Sequence, residues 1–253
     1  MTYCLAIALD EGVVFTSDSR TYAGVDQVST YSKMHTFGID GERQFILLSA
    51  GNLATTQSVI AQLDKDIKER APESLLTVRD LTEAADYLGR ISVNQQMKNT
   101  GGGVTYEASF ILGGQIGASK PMIVMLYPQG NYITTSADTL FLQIGESKYG
   151  KPILDRILTP KISLETAAVC ALVSMDSTMR SNLTVGPPIE VLIYRKDSLR
   201  LDERLRLTED SPYLRELKKS WDCLIKQAFR QLPPIAWATA KEPLTDTRSS
   251  TIS

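Results

Sequence analysis

Threonine at position 2 carries a hydroxyl and, once Met1 is removed, a free α-amine on the same residue. Removal of Met1 ahead of a small residue is the expected processing step. A terminal α-amine titrates at about pH 8, so near neutrality part of it is free base and can take a proton from the neighbouring hydroxyl. The point matters because His35 is the only histidine in the chain. A Ser-His-Asp or Cys-His relay would have to run through that one residue, and a multi-histidine metal site is excluded, although carboxylate sites remain open. His35 itself is expected to pack. A hydrolase built from these residues would take its base from the Thr2 amine.

Such a nucleophile needs an electrostatic setting. A nearby lysine lowers the pKa of the hydroxyl and favours the neutral amine, and an aspartate can orient that lysine. Lys33, just ahead of the apolar positions Met34 and Phe37, is the candidate lysine, and Asp18 the candidate aspartate. A three-residue loop at Asp10-Glu11-Gly12 would set Leu9 opposite Val13, Cys4 opposite Asp18 and Thr2 opposite Arg20. Asp18 would then lie diagonal to Thr2 on one face, about 7 Å away before side chains reach toward each other. Gly51 follows a buried strand and precedes a helix, where a backbone N–H can serve as an oxyanion donor.

These groups need a frame of strands and helices. Tyr3–Leu9, Val13–Ser17 and Gln44–Ser49 are strand-length apolar runs. Asn52 caps a helix with Leu53, Val59, Ile60, Leu63 and Ile67 on one side, and a second helix starts near Asp80. The triplet Gly101-Gly102-Gly103 lacks the lysine and hydroxyl residue of a phosphate loop and reads as a flexible connection. Strands follow at about Thr105–Gly113, Pro121–Tyr127, Asn131–Thr135 and Thr139–Ile144. Helices over Tyr149–Leu158 and Leu164–Met179 lead to a strand at Ile189–Arg195. Strands, two helices, strands, two helices, strand is the order of two face-to-face antiparallel sheets with helices outside, an α+β fold. Residues 1–198 form that domain. Residues 199–238 add an edge strand (Leu201–Leu207) and a helix from Ser211-Pro212 to Phe229, packed on it, and residues 239–253 read as a disordered tail.

Composition narrows the function. The chain has 253 residues, 43% of them apolar and 22% charged, with a net charge of −2. Lys and Arg are not gathered as a nucleic-acid surface gathers them. No apolar run approaches a membrane span, and no basic-then-apolar leader opens the chain, so a cytoplasmic protein is expected. Cys4, Cys170 and Cys223 are far apart and read as buried free thiols.

The run Thr2, Thr16-Ser17-Asp18-Ser19-Arg20, Ser32-Lys33-Met34, Leu48-Ser49-Ala50-Gly51 resembles the pattern of proteasome β subunits and HslV peptidases. The opening Met-Thr-Tyr-Cys, Ser49–Thr56, Ile144–Gly150 and Ser174–Pro188 are similar to the Anbu family of bacterial proteasome-like proteins. The resemblance covers about residues 2–196 and extends to the piece over Leu199–Phe229. It implies a four-layer αββα sandwich of the N-terminal nucleophile hydrolase type, with Thr2, Asp18 and Lys33 catalytic and Gly51 at the oxyanion. It also implies a peptide or protein substrate and self-association into a ring or open-ring homo-oligomer, with no metal or organic cofactor and any ATPase partner left open. The family's later supporting residues are less well matched. Ser147 is the candidate in Gly145-Glu146-Ser147, with Glu146 competing for the position. Farther on, Ser181 stands where the family has Asp and Thr184 where it has Ser, with Asp176 the alternative in a slipped register. A catalytically quiet assembly protein and an amidase for small peptides are the rival readings.

Overall fold

The computed structural model describes residues 1–22, 28–98 and 105–235. The glycine triplet at 101–103 and the tail expected at 239–253 lie outside the described residues. In chain order the strands of the first half are β1 (Tyr3–Leu9), β2 (Gly12–Asp18), β3 (Arg20–Tyr22), β4 (Val28–Thr30), β5 (Met34–Ile39) and β6 (Arg43–Gly51). Helices α1 (Leu53–Lys68) and α2 (Leu81–Met97) follow, then β7 (Ala108–Ile116), β8 (Met122–Leu126), β9 (Tyr132–Thr134) and β10 (Phe141–Gly145). Helices α3 (Lys151–Ile157) and α4 (Leu164–Ser181), strands β11 (Ile189–Arg195) and β12 (Glu203–Leu207), and helix α5 (Pro212–Arg230) follow within the described residues.

Two five-stranded antiparallel sheets result, ordered β10-β1-β2-β11-β12 and β5-β6-β7-β8-β9, beside a β3-β4 ribbon. The period of two along β1 explains the layering. Tyr3, Leu5 and Ile7 join a core with Leu164, Ala171 and Met175 of α4, while Cys4 and Ala6 join Ile46, Leu48 and Ile111 between the sheets. On the far side, Phe45 and Leu47 of β6 pack with Val59 and Leu63 of α1 and Leu88 of α2. The expected αββα sandwich is therefore present. Side-chain caps start four of the helices: Asn52, Asp80, Ser163 and Ser211 each accept from an N–H in the first turn. Helix α5 meets the α4 core through Leu214 and Leu217, whereas Leu224, Ile225 and Phe229 farther along it are exposed.

The first hairpin departs from the expected register by one residue. Leu9 pairs with Gly12, Cys4 with Ser17, and the turn consists of Asp10-Glu11 alone. Gly12 is a strand residue at φ 151°, and a Cβ there would run into the carbonyl oxygen of Tyr194 on β11. The glycine read as a turn residue instead permits close approach of a neighbouring strand. A one-residue slip exchanges the faces, so Asp18 stands level with Tyr3 and not diagonal to Thr2.

Candidate active site

Thr2 sits at the mouth of β1 and is held through its own peptide links. Its carbonyl oxygen accepts from the Glu146 N–H at 2.7 Å. Gly145, at φ 82°, turns the chain there, and any Cβ would collide with that same Thr2 carbonyl. On the other side the Tyr3 N–H donates to Asp18 Oδ1 at 3.0 Å. The corrected register supplies this bond, because it brings the end of β2 level with Tyr3. The Tyr3 ring is buried, with its hydroxyl bonded to Ser174 Oγ and Gln143 Nε2, each at 2.6 Å. Burial pushes that phenol up to about 12.

Asp18 has no exposed surface and receives three donors. Besides Tyr3 these are Lys33 Nζ at 2.7 Å and the Gly186 N–H at 3.2 Å. Burial raises its carboxyl above the usual carboxylate range, while the Lys33 ammonium and the two amides pull it back. Lys33, 7% exposed, also donates to the Arg20 carbonyl at 2.7 Å, and its own carbonyl accepts from Ser49 N–H on β6. Strand β5 begins at the next residue, which is why the turn before it can aim the lysine back across the gap between the sheets.

A cavity of about 830 Å³ opens beside these groups, lined by Met1, Thr2, Lys33 and Gly51 among others. Gly51 ends β6 at φ 113°, and Asn52 immediately caps α1, so a strand end and a helix N-terminus meet at this wall. His35, expected to pack, is half-buried and lines the same cavity; burial holds its imidazole below the usual histidine range. The terminal amine, carried here by Met1, is likewise lowered. Burial is the larger cause and the Lys33 charge the second, with Asp18 and Glu146 opposing.

Thus Thr2, Asp18, Lys33 and Gly51 are brought together. Ser147 lies in the turn after Gly145 without lining the cavity, its carbonyl accepting from Lys151 N–H and Gln143 Nε2. Ser181 is exposed at the end of α4 and does not line the cavity either. The nearby contacts belong to Glu146, buried and bonded to Asn182 Nδ2 at 3.0 Å, and to Gly186. Thr184 and Asn182 bond each other, and Asp176 is half-buried above Lys218. Gly186 was not singled out from sequence. Its signal is steric, since a Cβ there would strike the Arg20 guanidinium. Among the described residues no group of three or more His, Cys, Asp or Glu is arranged to hold a metal ion, and no helix is long and apolar enough to cross a membrane.

The αββα sandwich, with a buried Lys-Asp pair beside its first strand, is the fold of the proteasome-subunit class. The match to known families says the same: residues 2–194 fit the proteasome subunit family, and the chain belongs to it, on its Anbu branch. The chain is 43% identical to Anbu (ancestral beta-subunit) from Yersinia bercovieri, covering 93% of this chain and 100% of that one, with a TM-score of 0.89. It is 45% identical to a structure described as the helical assembly of the Anbu complex from Pseudomonas aeruginosa, over 94% and 99% of the two chains, TM-score 0.90. A Gly-1 mutant of Anbu from Hyphomicrobium sp. strain MC1 is 39% identical over 94% and 100%, TM-score 0.89. No match is found among curated proteins.

Proposed function

We propose that this chain, once Met1 is removed, is a threonine hydrolase that cleaves peptide or related amide bonds. The observation that carries the reading is the buried Lys33–Asp18 pair, whose carboxylate also holds the peptide N–H directly after Thr2. Thr2 Oγ attacks the substrate carbonyl while the Thr2 amine takes its proton. The C–N bond then breaks, with that proton passing to the leaving amine, and water hydrolyses the resulting ester to restore Thr2. Lys33 stabilises charge on Oγ and keeps the amine neutral, Asp18 orients Lys33, and the Gly51 N–H faces the oxyanion. Glu146 and Asn182 take the supporting place expected of Ser147 and Ser181, because they connect the Thr2 carbonyl turn to the end of α4.

The Pseudomonas relative is described as a helical assembly. We extend self-association, as a ring or open ring of identical copies, to this chain, acting on peptide or protein substrates in the cytoplasm. The test is mass spectrometry of the purified protein with an electrophilic proteasome inhibitor. Met1 should be absent and the adduct should sit on Thr2, disappearing in Thr2→Ala. An unlabelled Thr2 in protein that has lost Met1 would favour a quiet assembly subunit.

A further inference from the structure

Glu190 on β11 is a carboxylate with 4% exposure that the chemistry above does not use. The register sets it opposite Ser17 on β2 and Arg206 on β12, with Arg204 diagonal to it on the same face. Its Oε2 accepts from Arg204 Nη2 at 2.8 Å and from Ser32 Oγ at 3.0 Å, and its Oε1 lies 3.9 Å from Arg206 Nε. Ser32 Oγ also lies 3.0 Å from the Met34 carbonyl. The hydroxyl has one proton to give, and a buried carboxylate is the stronger acceptor. The same oxygen accepts the Met34 N–H at 3.3 Å. Lys33 is therefore bracketed by the residue before it and the residue after it, both tied to one hydroxyl that hangs on Glu190.

Both arginines lie on β12, beyond residue 194, where the match to the proteasome subunit family ends. The charge partners of the Glu190 anchor thus come from the C-terminal extension. The neighbouring Leu192 and Tyr194 on this face of β11 are apolar core residues. A carboxylate among them is costly to bury unless its partners are supplied. Glu190 and Arg204 also act electrostatically on His35 in the cavity wall, so the network reaches the site from this side too.

We infer that Glu190, paired with Arg204 of the extension strand, is a positioning residue that clamps the Ser32–Lys33 turn and so sets where the lysine ammonium stands relative to Thr2. The inference rests on the threonine-nucleophile reading for its catalytic meaning, and its test separates the two. The full-length protein in its native assembly is compared with Arg204→Leu, Arg204→Lys and Glu190→Gln. The readouts are hydrogen exchange of the peptide covering residues 31–35 and the concentration dependence of inhibitor labelling at Thr2. Arg200→Leu, which removes an exposed pair with Asp202, is the control and leaves both unchanged.

In Arg204→Leu, exchange over 31–35 rises and the maximal labelling rate falls on the order of tenfold. The half-saturating inhibitor concentration stays the same, and Arg204→Lys restores most of the rate. Unchanged exchange in Arg204→Leu and Glu190→Gln overturns the clamp, and faster exchange with an unchanged maximal rate overturns the positioning role. If the wild type is not labelled at all, the threonine-nucleophile reading fails, while the exchange measurement still decides the clamp.

Discussion

The Asp18–Lys33 pair lends itself to a double-mutant cycle whose outcome follows from its partners. Asp18→Ala strands a buried ammonium, leaving Lys33 only the Arg20 carbonyl, and also removes the acceptor of the Tyr3 and Gly186 N–H groups. Removing one member of a buried pair costs about 3–5 kcal/mol, and the loss here belongs at the upper end because the amides lose their acceptor too. Lys33→Met costs less, since the carboxyl keeps two donors and can take up a proton. Burial has already raised its pKa, so in Lys33→Met the folded state binds a proton more readily than the unfolded chain. The destabilisation of Lys33→Met therefore shrinks as pH falls through that raised pKa. The double mutant should lose about 2–3 kcal/mol less than the sum of the single losses. Urea unfolding at fixed protomer concentration, at two pH values, measures all four corners. A loss below about 1 kcal/mol for Asp18→Ala, the range of an exposed surface pair, would refute the reasoning.

Other expectations follow from the same geometry. Labelling at Thr2 should rise with pH as the amine freed by Met1 removal gives up its proton, and the Lys33 ammonium beside it favours the neutral form. In Lys33→Met the residual labelling should shift its midpoint upward, and an unmoved midpoint would remove Lys33 from this role. Gly12→Ala should destabilise by about 2 kcal/mol or more, because the β11 backbone occupies the place of the new methyl; calorimetry showing an unchanged Tm would contradict the close approach. Tyr3→Phe should cost about 1–2 kcal/mol in urea through loss of the Ser174 and Gln143 bonds. With a thiol reagent, Cys223 should react quickly and Cys4 should stay silent until unfolding, because burial raises the Cys4 thiol well above its usual range.

The fold was legible because apolar period and caps agree along this chain. The strand-length apolar run Tyr3–Leu9 and the Asn52 cap mark elements that the structure places within a residue or two of expectation. What escaped was what two strands do to each other. The Gly12 register depends on β11, which lies far along the chain, so local turn chemistry favoured the wrong loop length. The β3-β4 ribbon escaped as well, since three-residue strands carry too few positions to show a period. Thr2, Asp18, Lys33 and Gly51 were legible as residue types at strand and helix ends. Gly186 and Glu190 were not, because one contributes only a backbone N–H and the other contacts residues 14 and 158 positions away. Cys223, expected to be buried, is exposed, because the apolar contacts of α5 with the α4 core are made by Leu214 and Leu217 nearer its start.

The residue just ahead of β1 is gripped by its main chain: the Thr2 carbonyl by Glu146 and the following amide by Asp18. Neither bond touches the Thr2 side chain. The anchorage is therefore blind to residue type, and serine or cysteine at position 2 would be presented from the same point with its backbone undisturbed. Reactivity and placement are separable properties at this chain end, so the warhead can be exchanged while the mount stays as it is.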